Sequence, residues 1–290
     1  MNVQASCVID CKNDLGEGPV WDVATARLWW VDVNGRKVFR ADPGVGPVEE
    51  FSVPDRPGCL AVRPDGSLII ALRRSIILFD PATGAHRDVP CPIDFAVERF
   101  NDGACDRRGR LFAGTMHREM NDRVGGLYRV DADLSVHRVA GDICLSNGIA
   151  WSPDNRTLYH CDSRPGVVFA YDYDIEAGTV ANRRVFADFA GREGGTDGCT
   201  VDSEGGLWVA EVGAGQIVRF LPDGRIDRVA PVPVSRVTSV MFGGPDLRTL
   251  FVTSMRYHTS EEELAAQPQA GGVFALDVGV AGLPEPRFAA

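Results

Sequence analysis

Four oxygen-bearing side chains recur at one position of a repeated sequence pattern. Each precedes a small residue at the opening of an apolar segment: Glu17, Asp102, Asn147 and Asp197. Carboxylate and amide oxygens are the ligands that hard divalent cations take. If the fold brings these positions together on one axis, their burial is costly unless a cation lies among them. The pattern therefore predicts a divalent metal site, with Glu17, Asn147 and Asp197 as the candidate ligands.

The same stretches also have a simpler interpretation. LGEG around Glu17, SNG around Asn147 and TDG around Asp197 are favourable turn sequences. Any one of them alone is more often a turn than a ligand. Their occurrence at one register in three of six repeats favours the metal site over three unrelated turns.

A sixfold repeat must position these side chains. Each repeat opens with a polar and a small residue, followed by a short apolar strand, a turn, a second apolar strand and a third strand. The second residues of the openings lie 40, 45, 45, 50 and 41 residues apart: Gly18, Gly58, Gly103, Gly148, Gly198 and Ser239. A period near 45 residues with three or four strands per unit is typical of β-propeller blades.

We therefore predict an all-β fold in which residues 1–290 form one six-bladed β-propeller with the metal in its central channel. PDG, RRG, PDN and SEG are hairpin signals between first and second strands. A four-stranded blade cannot bury both faces alone, whereas blades packed in a ring can. The first strand of each blade should line the channel, so the oxygen ligands should lie just before it, at one mouth. The N-terminal strand, around Val3 to Ile9, is expected to pair into the last blade.

Composition limits the possible partners. The net charge of −10 disfavours nucleic acid, because an acidic chain repels phosphate backbones. The longest apolar runs, such as residues 68–72, are far too short to span a bilayer, and no secretory signal is visible. The eight cysteines are scattered without a CxxC pair, which favours reduced thiols over disulfides or a zinc site. We expect a cytoplasmic monomer that contacts neither nucleic acid nor membrane.

Five stretches carry a resemblance to a known family: LGEGPVW at 15–21, RFNDGACDRRGRLFAGTM at 99–116, SNGIAWSPDNRTLY at 146–159, TDGCTVDSEGGLWVA at 196–210 and GGPDLRTLFVTS at 243–254. In motif, order and spacing the chain resembles the regucalcin–gluconolactonase family, which also includes luciferin-regenerating enzyme. The resemblance covers nearly the whole chain. It implies a six-bladed propeller with one divalent ion (Ca²⁺, Zn²⁺, Mn²⁺ or Fe²⁺) that hydrolyses a sugar (aldono-)lactone to the aldonic acid.

The resemblance also implies roles for single residues. Glu17, Asn147 and Asp197 match the family's metal ligands, and Asp197 is the candidate general base. The matching substrate-binding residues are Arg99, Asn101 and Glu119. Alternation along RFND should send Arg99 and Asn101 towards the channel and the intervening phenylalanine into the core.

One segment departs from the family's pattern. WVAEVGAG has Glu211 and Val212 where related sequences often have a leucine and an aromatic residue. We expect the channel rim, and with it the choice of substrate, to differ there.

Two other functions stay open, because a fold does not determine a function. One is hydrolysis of another ester or a phosphotriester on the same scaffold, and the other is a non-catalytic, metal-binding regulatory propeller. The sequence has no GxSxG elbow, phosphate loop or dinucleotide fingerprint. His160, in LYHCD, is interpreted as a core or channel-wall residue, and His258 as solvent-exposed. SEEEL at 260–264 predicts a short capped helix.

Overall fold

Six four-stranded antiparallel sheets account for nearly all the regular structure in the computed structural model, which describes residues 4–290. In chain order the strands are β1 (Ser6–Ile9), β2 (Gly16–Asp22), β3 (Arg27–Asp32), β4 (Lys37–Ala41), β5 (Glu49–Ser52), β6 (Pro57–Val62), β7 (Leu68–Leu72), β8 (Ser75–Phe79), β9 (His86–Val89), β10 (Glu98–Cys105), β11 (Leu111–His117), β12 (Gly125–Val130), β13 (Val136–Ile143), β14 (Ser146–Trp151), β15 (Thr157–Asp162), β16 (Val167–Asp174), β17 (Thr179–Asp188), β18 (Gly195–Val201), β19 (Leu207–Val212), β20 (Gln216–Phe220), β21 (Ile226–Pro231), β22 (Val237–Gly243), β23 (Thr249–Ser254) and β24 (Val273–Asp277).

The sheets are the blades of a propeller. Blades one to five are β2–β5, β6–β9, β10–β13, β14–β17 and β18–β21, each laid out from inside to outside in chain order. The innermost strands of neighbouring blades contact one another around the whole ring. This arrangement confirms the predicted six-bladed β-propeller, because each blade buries its faces against two neighbours.

The ring closes through the N-terminal strand. Blade six has the order β22, β23, β24 and, outermost, β1. Ser6 pairs with Ala275, and Cys7 pairs with Phe274. The predicted closure is therefore confirmed for the described part of that strand, and Val3 lies outside the described residues.

Aromatic side chains fill the spaces between blades. The recurrent aromatics of the second strands are all buried, as the repeat predicted: Trp29, Trp30, Phe112, Tyr159, Trp208 and Phe251. Several meet a ring from the next blade, as Trp208 meets Phe242 edge-on at 6.1 Å between ring centroids. Full burial of one such ring contributes about 2–3 kcal/mol, so the contacts between blades hold the ring together.

The C-terminal segment, residues 281–290, crosses the lower mouth of the channel, where the innermost strands end. Backbone hydrogen bonds of 2.9 and 2.8 Å attach it to Val62 of blade two and Gly109 of blade three. The Arg287 guanidinium donates to both carboxylate oxygens of Asp22 in blade one, at 2.9 and 2.7 Å. Above the segment remains a cavity of about 50 Å³, enough for one or two water molecules.

The described chain has one helix, α1 (Glu261–Ala266). Ser260 caps it: its hydroxyl accepts from the Glu263 amide at 3.2 Å, and its own amide donates to the Glu263 carboxylate at 2.8 Å. The predicted capped helix is thus confirmed. Within residues 4–290, no helix has the length and apolar character needed to cross a membrane.

Candidate active site at the upper mouth of the channel

A β-bulge interrupts every innermost strand near its start, and the candidate site residues lie at these bulges. The pairing register with the second strand shifts beside Glu17, Asn101, Asp102, Asn147 and Asp197. A bulge leaves residues unpaired in the ladder and redirects their side chains. The sequence prediction placed the oxygen ligands just before the first strands, whereas they lie inside these strands, where the bulges turn them to the channel.

The glycines of the repeat let the inner strands approach one another closely. A Cβ atom on Gly58 would lie 1.9 Å from the carbonyl oxygen of Asn101, and one on Gly198 would lie 2.0 Å from the Ser239 hydroxyl. Atoms cannot approach so closely, so only glycine fits without moving the neighbouring strand. The upper mouth is therefore narrow, and oxygens from different blades converge there.

One cavity of about 340 Å³ opens at this mouth. Its lining includes Glu17, Asn101, Asp102, Asn147 and Asp197, which come from blades one, three, four and five. The volume is in the range of small-molecule sites. The structure thus brings the three predicted metal ligands together at a single cavity.

The carboxylates of this cavity have no cationic partner. Neither Glu17, Asp102 nor Asp197 forms an ion pair with a described lysine, arginine or histidine. Burial first, and then Asp197 and Asp102, raise the pKa of Glu17 well above its usual value. Burial and the charge of Asp102 do the same to the pKa of Asp197. Burial raises the pKa of Asp102 to about 6, against the amide hydrogen bonds that it accepts. A cation at this mouth would offset the cost of burying these charges.

An amide oxygen completes the candidate ligand set. In the described part of the chain, no three His, Cys, Asp or Glu side chains meet at metal-ligand spacing, so a metal here requires Asn147 beside the carboxylates. The Asn147 amide nitrogen donates to the Ser163 hydroxyl at 2.8 Å, which orients the group. Its oxygen accepts from the Asn101 amide at 2.6 Å and keeps a second lone pair. This oxygen-only set fits a hard divalent cation.

The predicted substrate-binding residues separate into two groups. Arg99 and Asn101 line the cavity, while Phe100 between them is 1% exposed and packs in the core, as alternation predicted. The Arg99 guanidinium donates to the Asn101 side-chain oxygen at 3.3 Å. Glu119 lies exposed on the loop after β11, outside this lining, and its amide donates to His117 at 3.2 Å.

Further residues of the cavity lie on connecting loops and were not predicted. They include Arg56, Arg73, Arg118 and Tyr257. His258 is exposed, as predicted, but also lines the cavity mouth. Arg73 and Arg118 each follow the second strand of their blade directly, but the residue type at that position changes from blade to blade, so the repeat does not predict an arginine there.

The expectation that Glu211 and Val212 form the channel rim is wrong. Glu211 is fully buried, outside the cavity lining, and its carboxylate accepts two hydrogen bonds from Arg192, at 3.0 and 2.5 Å. It pairs with the residue just before the candidate ligand of blade five, as Asp32 and Asp162 do in blades one and four. Those two carboxylates accept backbone amides of the loop before the first strand. Glu211 thus belongs to a structural position of the repeat.

A serine–histidine contact lies beside the cavity but not in it. The Ser146 hydroxyl is 2.7 Å from His160 Nε2, and both residues have 0% exposure. No described group hydrogen-bonds His160 Nδ1, and burial lowers the pKa of this histidine to about 4. A nucleophilic serine needs access to substrate and a base oriented by a third group. Neither condition is met, and His160 is a buried wall residue as predicted.

Comparison with known proteins gives a consistent result. Residues 15–256 match the family model described as the SMP-30/Gluconolactonase/LRE-like region. The chain is 40% identical to a 6-deoxy-6-sulfogluconolactonase from Pseudomonas putida, over 100% of both chains. It is 37% identical to an L-arabinolactonase from Azospirillum brasilense, over 99% of this chain and 96% of the relative. A solved calcium-binding protein, regucalcin from Agrobacterium tumefaciens, superposes with a TM-score of 0.94 at 31% identity, over 99% of this chain and 98% of the other. The ring of six blades and the sequence motifs agree with these matches, and the chain belongs to the SMP-30/gluconolactonase/LRE-like family.

Proposed function

We propose that this protein is a divalent-metal-dependent hydrolase that opens a sugar (aldono-)lactone to the aldonic acid. The observation that carries the proposal is the group of three buried carboxylates without counterions, in a cavity that also presents Arg99 and Asn101. The names of two relatives, a sulfogluconolactonase and an arabinolactonase, support the substrate class.

Glu17, Asn147 and Asp197 would hold the cation, which is Ca²⁺, Zn²⁺, Mn²⁺ or Fe²⁺. When bound, this ion would polarise the lactone carbonyl and stabilise the oxyanion that develops during attack by water. Asp197 takes the proton from the attacking water and returns it to the ring oxygen as the carbon–oxygen bond breaks. The added water is then divided between the two ends of the broken bond: its oxygen and one hydrogen form the hydroxyl of the new carboxyl group, and its other hydrogen lies on the former ring oxygen.

Arg99 and Asn101 orient the sugar. Asn101 is held in place, because its amide nitrogen donates to the Ser146 carbonyl at 2.8 Å and to Asn147. Both amide hydrogens are used in these bonds, so Asn101 would accept a sugar hydroxyl at its side-chain oxygen. Rigid polar groups of this kind give orientation, which lowers the barrier of a two-reactant step. Glu119, which is exposed on the loop after β11 and lies outside the cavity lining, would contact the substrate from that loop. The eight free thiols support work in the reducing cytoplasm, and we propose that the protein works there as a monomer.

The test combines metal depletion with one conservative substitution. Protein stripped by a chelator is supplied with each of the four metals, and acid release is followed on a panel of aldonolactones and one aryl ester. Asp197→Asn keeps the shape of the side chain but cannot accept the proton, so kcat should fall by about 10²–10⁴-fold with the fold retained. Asp223→Asn, at an exposed carboxylate, is the control. Full activity after stripping, or near wild-type turnover by the metal-loaded Asp197→Asn variant, would contradict the proposal.

A further inference from the structure

Four arginines line the cavity above the carboxylates. Arg56, Arg73, Arg99 and Arg118 come from the loops between blades one and two, after β7, before the bulge of β10 and after β11. None of them forms an ion pair with a described carboxylate, whereas Arg74, next in the chain, pairs with Asp55 at 3.4 Å. The cavity therefore combines three carboxyl groups on its floor with four arginines on its wall, in a chain of net charge −10.

Backbone hydrogen bonds lock three of these segments to one another. The Arg73 amide donates to the Arg56 carbonyl at 2.7 Å, and the Phe100 amide donates to the Arg73 carbonyl at 3.1 Å. Arg56, Arg73 and Arg99 thus share one small scaffold. Their positions do not depend on a ligand, and such preorganisation lowers the cost of binding one.

Several guanidinium donors lack acceptors. The Nε atoms of Arg73 and Arg118 are buried with no hydrogen-bond partner in the described structure. Arg99 donates only to oxygens of its neighbours Phe100 and Asn101, at 3.4 and 3.3 Å. Burial first, then the charges of Arg73 and Arg56, lower the pKa of Arg99 to about 10, so it stays protonated at neutral pH. Buried donors without acceptors and clustered like charges are both unfavourable, and an anion would relieve both.

Neutral sugar hydroxyls do not account for this wall. One or two donors orient a hydroxyl, and a hydroxyl brings no charge to offset four guanidinium groups. No described carboxylate lies within ion-pair distance of these guanidinium groups either. A ligand oxyanion has both the acceptor oxygens and the charge, and arginine binds such groups through two parallel hydrogen bonds.

We propose that this cavity selects lactones that carry an anionic group at the end of the sugar away from the lactone carbonyl, with Arg56 and Arg73 as binding residues for that group. The proposal rests on the proposed function, which sets the carbonyl against the carboxylate floor. The anion is a sulfonate, a phosphate or a carboxylate, since all three present oxygen acceptors to a guanidinium.

The experiment compares substrates that differ only at this end. D-glucono-1,5-lactone is measured beside its 6-deoxy-6-sulfo and 6-phospho analogues and a lactone with a terminal carboxylate. We expect kcat/KM to be at least about 10-fold higher for the preferred anionic lactone. Its value should fall steeply with ionic strength, while that of the neutral lactone should not. Comparison of the three anions identifies which group the wall accepts.

Substitution of the wall tests which residues carry the preference. Arg56→Gln and Arg73→Gln should each reduce the anionic-to-neutral ratio of kcat/KM by about 10- to 100-fold. Arg74→Gln removes the same charge one position along the chain, outside the cavity, and should leave the ratio unchanged. Thermal melting establishes that each variant is folded.

Two readouts separate this inference from the proposed function. A wild type that opens neutral and anionic lactones equally well, or a ratio that Arg73→Gln and Arg74→Gln change alike, would overturn the inference while the lactonase activity stands. If no lactone is opened, the proposed function fails. In that case calorimetry compares the affinities of the wild type and the same variants for the ring-opened 6-sulfo acid and for gluconate. Tighter binding of the 6-sulfo acid by the wild type, lost in Arg73→Gln, supports the inference. Equal affinities of the wild type for the two acids overturn it.

Discussion

Substitution of Glu211 tests whether this residue stabilises the fold or affects the choice of substrate. Its side chain is fully buried and the side chain of its partner Arg192 is 22% exposed. The carboxylate also accepts from the Gln216 amide at 2.8 Å. Glu211→Gln removes the charge and replaces one acceptor oxygen with a donor, which faces the Arg192 guanidinium. The substitution therefore breaks the pair without changing the volume of the side chain.

The expected loss of stability follows from this geometry. Breaking a fully buried ion pair from one side costs about 3–5 kcal/mol. Because Arg192 keeps some contact with water and can be rehydrated, we expect about 2–3 kcal/mol here. For a chain of 290 residues that is a fall in Tm of about 3–5 °C. The ratio of kcat/KM between any two lactones should not change, because the carboxylate does not reach the cavity.

Thermal and urea unfolding measure the loss of stability, and lactone kinetics on the same samples measure the ratio of kcat/KM. Arg192→Gln and the double variant complete a mutant cycle, and the double variant should lose less than the sum of the two single losses. Arg225→Gln is the control, since its pair with Asp223 is 76% and 53% exposed and should contribute no more than about 1 kcal/mol. Unchanged stability together with altered lactone selectivity would refute the structural role.

Two further predictions concern a glycine between neighbouring inner strands and the buried histidine. Gly58→Ala forces a Cβ atom against the Asn101 carbonyl, so the free energy of unfolding should fall by about 1–3 kcal/mol, and kcat/KM should fall as well. Gly195→Ala is the control, because a Cβ there would meet its nearest atom at 3.9 Å. Equal effects of the two substitutions in unfolding and kinetic assays would contradict this explanation. The pKa of His160 is about 4 in the fold and about 6.5 in an unfolded chain, so the unfolded state takes up its proton first as pH falls, and stability is lost between about pH 6.5 and 4 by up to about 3 kcal/mol. His160→Gln should lack this part of the pH dependence of urea unfolding, and parallel curves for the two proteins would show that burial does not hold the ring neutral.

The sequence repeat predicts the positions of the channel residues better than those of the loop residues. Glu17, Asn147 and Asp197 could be placed together because one register in a ring of equivalent blades leads to one axis. The cavity role of Arg73 could not be predicted, because the residue type directly after the second strand changes from blade to blade, although the backbone hydrogen bond that holds this position recurs in other blades. The bulges also escaped prediction, since a shift in register depends on both strands of a pair.

The structural role of Glu211 has a signal in the sequence. An acidic residue also stands at or near the end of the second strand in the repeats of Asp32 and Asp162. Aligning the repeats with one another, and not only with a family, would have marked Glu211 as a loop anchor. A departure from a family's pattern thus indicates a changed site only where the other repeats of the same chain lack that residue type.

The segment across the lower mouth affects the order of events in turnover. The cavity of about 50 Å³ above Leu283 and Glu285 is too small for a sugar, so a lactone enters and its product leaves by the upper mouth. The two cannot pass each other, and each product must depart before the next substrate arrives. That product bears a new carboxylate and leaves past four guanidinium groups. Inhibition by product should therefore be competitive with substrate, and progress curves should slow long before the lactone is exhausted.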